Sequence, residues 1–243
     1  MYRTVTEEVE IPGPSRPTNA WVSRPVDSGR YPAIIRMHGR NGVAQNFLDA
    51  GVRFAEEGIV DLALNYMKHE EDPSNPETLS WTEGALRFLQ AQDYVASDQV
   101  VASGYCRGGG LTYLSLGNIN GFAAGVVWHG GLYYGEASPA RPENPADAAL
   151  RIEVPFIILH GMSDPGVKFE QVCALAQKLN ELGKSFELKA YWGTRHAFTL
   201  PGGNDYVPEH ADDAFREAVL FIRRTFGLPV GTVGPLVGQP VGV

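Results

Sequence analysis

Cysteine is nearly absent from this chain: two residues, Cys106 and Cys173, stand far apart among 243. That scarcity excludes a disulfide framework and a paired zinc motif, and free thiols are the expected state. Clustered positive charge is missing as well. Lys and Arg number 20 against 28 Asp and Glu, a formal net charge of −8 with no basic run, so nonspecific nucleic-acid binding is not expected and the acidic surface serves solubility. No eighteen apolar residues run uninterrupted, and the first residues, MYRTVTEEVEIPGPSRP, put acidic side chains where a signal peptide needs an apolar core. Neither a membrane span nor a secretion signal is expected, and the cytoplasm is the expected compartment. The histidines lack a metal-ligand spacing such as H-x-x-x-H, so no metal is expected. A hydrophobic share of 44% with 20% charged residues excludes a wholly disordered or coiled-coil chain. At this length it points to one compact unit whose core needs no cross-links.

What is present is an alternation of two periodicities. Residues 4–11 alternate polar and apolar, 21–24 form a short partner, and 32–37 (PAIIRM) is a nearly continuous apolar strand. Beyond it, Val43, Phe47, Ala50, Phe54 and Ala55 recur at helical spacing over 43–57, with Gly58 placed as the C-terminal stop. The alternation predicts strands at 59–64, 100–103, 123–128, 155–159 and 186–192, and helices at 79–95, 109–116, 168–182 and 209–226. Strands followed by helices need crossovers, hence an α/β fold over residues 1–226 with a mostly parallel sheet of about eight strands flanked by helices on both faces. Residues 129–150, rich in Gly, Pro and Ala with Tyr133 and Tyr134, read as a long surface excursion of the kind that shapes a binding site. Residues 227–243 carry no charge and are crowded with Gly, Pro and Val: a flexible tail, or an apolar arm packing on its own or a neighbouring subunit.

Ligands of open parallel sheets gather at the carboxyl ends of the strands, and three reactive side chains follow predicted strands directly. After 100–103 comes Gly104-Tyr105-Cys106-Arg107-Gly108, with Gly109 and Gly110 opening a helix. This is the G-x-S-x-G elbow with sulfur in place of oxygen. A nucleophile on a sharp strand-to-helix turn takes strained dihedrals, and flanking residues without Cβ leave room for the turn. The helix amino terminus then lowers the thiol pKa and can hold an oxyanion. Cys173, mid-helix between Val172 and Ala174, reads instead as a small buried hydrophobe. After 155–159 comes His160-Gly161-Met162-Ser163-Asp164-Pro165, and after 186–192 comes Gly193-Thr194-Arg195-His196-Ala197-Phe198. Alone, Asp164 would read as a turn residue and His196 as an ordinary loop histidine. The order nucleophile, acid, histidine, each beyond its own strand, is that of the α/β-hydrolase fold. The loop after 32–37, His38-Gly39-Arg40-Asn41-Gly42, has the glycines that let a backbone amide approach a carbonyl oxygen. His38, His129 and His160 read as structural.

These motifs resemble the dienelactone hydrolase family, whose members use a Cys-His-Asp triad in a single α/β-hydrolase domain. GYCRGG around Cys106 is similar to its nucleophile turn, HGMSDP to its acid turn and RHAFT to its histidine loop, and the likeness of order and spacing covers residues 5–226. The resemblance implies Cys106, Asp164 and His196 as the catalytic residues, the backbone amides of Arg107 and Arg40 as oxyanion donors, and no cofactor. It also implies a glutamate after the third strand that holds the resting thiol, and basic residues that bind a substrate carboxylate. The glutamate position is Gly39 here, and the basic positions are Lys68 and Leu200. The acidic cluster Glu70, Glu71 and Asp72 dilutes a positive pocket, while Arg40, Arg107 and Arg195 are replacement cations.

The expected function is a cysteine-dependent hydrolase of small carboxylic esters or lactones, acting through an acyl-enzyme on Cys106. Lys68 and Arg195 are the expected substrate-binding residues. Two alternatives stand beside it: a thioesterase or broad aryl or alkyl esterase on the same triad, and a noncatalytic ligand-binding relative. Trp81, Tyr133, Tyr134 and Phe198 are candidates for a pocket lining, and read equally as core or surface. The expected partner is a small molecule, not nucleic acid or membrane, and the expected state is a monomer or small homo-oligomer.

Overall fold

A computed structural model describes residues 1–234. The elements are β1 (Thr4–Ile11), β2 (Thr18–Pro25), β3 (Tyr31–Met37), α1 (Gln45–Glu56), β4 (Val60–Leu64), α2 (Asn75–Gln90) and β5 (Val95–Tyr105). They continue with α3 (Arg107–Asn118), β6 (Ala124–Trp128), α4 (Pro145–Ala149), β7 (Phe156–Gly161), α5 (Phe169–Glu181), β8 (Phe186–Tyr191) and α6 (Pro208–Thr225). All eight strands join one sheet in the order β1-β2-β4-β3-β5-β6-β7-β8. β1 pairs antiparallel with β2, β2 antiparallel with β4, and every later pairing is parallel.

Burial sorts the strands. β3, β4 and β6 are buried at every position, as strands covered on both faces must be. β1 and β8, at the two edges, carry Glu7, Glu8 and Glu10 and Glu187 and Lys189, charges that discourage edge-to-edge pairing. One core face gathers Trp81, Leu86 and Leu89 of α2, Leu111 and Leu114 of α3, and Leu175 and Leu179 of α5. The other gathers Phe47 and Phe54 of α1 with Phe215, Val219 and Ile222 of α6. A buried ion pair between Arg36 on β3 and Asp61 on β4 interrupts this apolar face. Arg36 also donates to the Phe47 carbonyl at 2.7 Å, and a Cβ on Gly51 would lie 2.3 Å from Asp61 Oδ2, so α1 is fitted onto the pair through a glycine. No described helix is long and apolar enough to cross a membrane.

Four expectations are corrected. α2 spans Asn75–Gln90 rather than 79–95: it begins a turn before the apolar spacing starts, because Ser74 accepts the Glu77 amide at 3.3 Å and Pro76 stands in the first turn, and it is capped at Ala91, leaving Val95 to β5. β5 begins at Val95, where Ser97, Asp98 and Gln99 mask its strand character. The 129–150 segment is not wholly a surface excursion: α4 buries Ala146, Ala148 and Ala149. It packs on α3 where a Cβ at Gly117 would lie 2.5 Å from the Ala148 carbonyl. Five residues are too few for a helical period to be visible. Cys173 is exposed on α5 rather than buried.

Of the 227–243 segment, residues 235–243 lie outside the described residues. Up to Gly234 the chain runs as an arm: the Leu228 amide donates to the Arg223 carbonyl at 2.8 Å, Val233 packs against the α1/α6 face, and the Gly234 amide donates to Glu57 Oε1 at 2.9 Å.

Candidate active site

β5, β7 and β8 are parallel and end at the same carboxyl end of the sheet, and the three reactive side chains sit just past those ends. Between the last residue of β5 and the first of α3 there is only Cys106, with φ 57° and ψ −113°. A Cβ at Gly104 would lie 2.2 Å from the Gly108 carbonyl oxygen, and one at Gly108 would lie 2.0 Å from that of Met37, so no side chain fits on either flank of the turn. The Cys106 amide donates to the Trp128 carbonyl at 3.0 Å, and its own carbonyl accepts from Gly110 and Gly131, both at 3.2 Å. The turn is thereby tied to β6 and to the segment after it.

Asp164 stands in the turn after β7. Its Oδ1 accepts the amides of Gly166 and Val167 at 2.8 and 3.0 Å, and its Oδ2 lies 2.6 Å from His196 Nδ1. A Cβ on Gly161 would fall 2.5 Å from the Thr194 carbonyl oxygen, and the Ser163 amide donates to that same oxygen at 2.9 Å. Glycine at the end of β7 thus lets the two loops approach closely enough for carboxylate and imidazole to meet.

The electrostatics follow from this contact chain. Burial alone would raise the Asp164 carboxyl, but the His196 hydrogen bond and the two backbone amides outweigh it and hold the group below its ordinary range. Burial likewise works against charge on His196. Its hydrogen bonds to Asp164 and to the Cys106 thiol prevail and raise the imidazole to about 10. Burial pushes the Cys106 thiol up, whereas His196, the Arg107 amide and the Arg40 charge pull it down, and the net direction is downward. The arrangement favours a thiolate beside an imidazolium.

Three further histidines surround this centre, all buried and all held neutral by burial. His38 is lowered to about 4; it stacks on Tyr66 with centroids 4.1 Å apart, and its Nδ1 lies 2.7 Å from the Gly39 carbonyl oxygen. His160 donates from Nε2 to the Val167 carbonyl at 2.9 Å. His129 packs edge-on against His196, centroids 4.8 Å apart, with Nε2 3.3 Å from Thr199 Oγ1. Among the described residues the non-glycine positions with positive φ are Cys106, His129 and Ala197. All three are at this site, where strain is held by the surrounding packing.

The nucleophile turn opens into a cavity of about 650 Å³ lined by Cys106, His196, Arg40, Arg107, Tyr133 and Tyr134, among others. The structure therefore brings together Cys106, Asp164, His196, Arg40 and Arg107. It does not bring in the two expected substrate-binding residues. Lys68 is exposed and outside the lining, and Arg195 pairs with Asp205 at 3.1 Å. Leu200 lines a different cavity, of about 420 Å³, between α1 and α6. Trp81 and Phe198 are fully buried core residues, and Tyr133 and Tyr134 reach the cavity. Sequence reading missed Arg141, which also lines it; the one signal was its place in the segment after β6. No three His, Cys, Asp or Glu side chains among the described residues are grouped to hold a metal ion.

Comparison with known proteins agrees with this architecture. The model of the "Dienelactone hydrolase family" matches residues 18–226. A Bradyrhizobium protein named "Probable 2-oxo-3-(5-oxofuran-2-ylidene)propanoate lactonase" is 26% identical over 219 residues, covering 84% of this chain and 88% of that one. A Klebsiella pneumoniae crystal structure described as a "Putative Dienelactone Hydrolase" superposes with a TM-score of 0.84 at 22% identity, over 91% of this chain and 99% of the other. Esterase 2 of Thermogutta terrifontis superposes with a TM-score of 0.76 at 19% identity, over 93% and 96% of the two chains. With the family model spanning most of its length and the eight-stranded α/β-hydrolase sheet in place, this chain belongs to the dienelactone hydrolase family and is a carboxylic ester hydrolase.

Proposed function

We propose that the protein hydrolyses small carboxylic esters or lactones through a thioester on Cys106, with His196 as the acid and base and Asp164 as its orienting carboxylate. The observation that carries this reading is the 2.6 Å contact of Asp164 Oδ2 with His196 Nδ1 together with the place of His196 and Cys106 in the lining of one cavity, where each shifts the other toward its charged form. The thiolate attacks the acyl carbon, and the amides of Arg107 and Arg40 receive the oxyanion. The tetrahedral intermediate collapses as the His196 imidazolium gives its proton to the departing alkoxide. Neutral His196 then takes a proton from water, the hydroxide attacks the thioester, and expulsion of the thiolate releases the acid and restores the ion pair. In a lactone the alkoxide and the acid stay in one product. The lactonase name of the Bradyrhizobium relative supports this substrate class.

The test is Cys106→Ala assayed on a panel of simple esters and lactones. Loss of a triad nucleophile costs about six orders of magnitude in turnover, so the variant is expected to be folded and inactive. Near-normal turnover would remove Cys106 from the mechanism.

A further inference from the structure

Two of the three arginines at the cavity are already occupied by a carboxylate of the chain itself. Asp72, in the segment between β4 and α2, forms ion pairs with Arg107 Nη1 and with Arg141 Nη2, the latter at 2.6 Å. The same two guanidiniums converge on the next residue. Arg107 Nη2 donates to the Pro73 carbonyl at 2.5 Å and Arg141 Nη1 donates to it at 3.1 Å. Arg141 Nη1 further donates to its neighbour Ala140 at 2.8 Å. Both side chains are largely shielded, 6% and 16% exposed, whereas Asp72 is 58% exposed and lines the cavity beside Cys106 and His196.

We infer that Asp72 is a specificity-determining residue: an internal counter-ion that fills the place a substrate carboxylate would take, so that this hydrolase selects esters and lactones whose acyl part carries no negative charge. The inference rests on the acyl-hydrolase reading above and names its substrate class. Paired guanidiniums are suited to gripping a carboxylate with several N–H donors at once. Here the Nη donors of both residues are engaged by Asp72 and the Pro73 carbonyl, and an incoming anion would meet the Asp72 charge. Other positions do not supply such a grip: Lys68 is exposed outside the lining, Arg195 is paired with Asp205, and Leu200 is apolar and lines a separate cavity. Arg40 reaches the cavity but is exposed, so water screens its attraction. Removing the Asp72 charge leaves two shielded arginines facing the cavity with free donors, which is an anion site.

The experiment compares p-nitrophenyl butyrate with the mono-p-nitrophenyl ester of succinate on wild type, Asp72→Asn and Asp72→Ser, with circular dichroism to confirm that the variants are folded. The wild type is expected to favour the uncharged ester by about tenfold or more in kcat/KM. In either variant the ratio is expected to move toward the anionic ester by about 10- to 100-fold, mainly through KM, the scale of one or two charge-assisted hydrogen bonds. Adding Arg141→Gln to Asp72→Asn should erase that gain. Calorimetric titration with free succinate needs no turnover and is expected to show binding to Asp72→Asn and none to wild type. A wild type that prefers the succinate ester, or that binds succinate as tightly as Asp72→Asn does, overturns the inference. If neither ester is hydrolysed, the acyl-hydrolase reading falls, and the succinate titration still decides the role of Asp72.

Discussion

Gly39 lies against Cys106: a Cβ built on Gly39 would sit 3.4 Å from the Cys106 Cβ and 3.6 Å from the Tyr105 carbonyl oxygen, both ordinary contacts. A Cβ is therefore accommodated at the position where the family resemblance implies a glutamate, and in this chain none is present. Nothing anionic at that position opposes the thiolate that His196, the Arg107 amide and Arg40 favour.

The first prediction follows from that vacancy in the sequence. The midpoint of iodoacetamide labelling of Cys106 in the free enzyme is expected below the ordinary thiol value of about 8.5. In Gly39→Glu a carboxylate beside the sulfur disfavours the thiolate, and the midpoint should rise by about one unit. Equal midpoints in the two proteins would show that Gly39 has no bearing on the resting thiol.

Asp164→Asn tests the second contact. The amide is nearly isosteric and can keep both backbone hydrogen bonds at Oδ1, so folding should persist. A neutral partner neither fixes the Nδ1–H tautomer nor stabilises the imidazolium, and a loss of roughly 10⁴ in kcat is expected. The labelling midpoint of Cys106 should also rise, because His196 loses the carboxylate that keeps it charged. A loss under tenfold, with an unmoved midpoint, would leave Asp164 as a turn residue.

Acid stability provides the third. His38 is 1% exposed and lowered to about 4, chiefly by burial and further by Arg107, whereas unfolding returns it to about 6.5. Between those values the unfolded chain binds more protons, so the stabilising contribution is present above about 6.5 and is lost as pH falls through about 4. The shift corresponds to roughly 3 kcal/mol at the acid limit. Urea midpoints measured from pH 7 to pH 4.5 should fall steeply in wild type and less steeply in His38→Phe, which keeps a ring for the Tyr66 stack and cannot titrate. Parallel slopes would mean that His38 is not neutral in the folded protein.

Much of this was readable from the chain because the relevant constraints are local. A nucleophile between β5 and α3 demands flanking glycines, and Gly104 and Gly108 announce it; an acid and a histidine each one turn beyond a strand need only the strand ends to be found. That Asp72 dilutes a positive pocket was legible too, but Arg141 and the partners of Asp72 and His129 were harder. Their importance lies in partners distant in sequence: Asp72 meets Arg107 and Arg141 across the cavity mouth, and His129 matters because its ring reaches His196. Lys68 and Arg195 illustrate the reverse error. Each has a suitable charge near a suitable motif, but position along the chain does not reveal which way a long side chain turns, and Arg195 turns to Asp205.

The pairing of β7 with β8 carries a consequence for how activity is lost. Asp164 follows one strand and His196 the other, and the two are brought within 2.6 Å by a six-residue parallel register running from Phe156↔Phe186 to Gly161↔Tyr191. β8 is an edge strand, bonded on one side only. The joint on which proton transfer depends thus lies at an edge seam of the sheet, while Cys106 is rooted in its middle. Fraying from the β8 edge would separate imidazole from carboxylate while the elbow at Cys106 still stood, so inactivation on heating should precede melting of the parallel centre, the enzyme failing at its hem before its cloth.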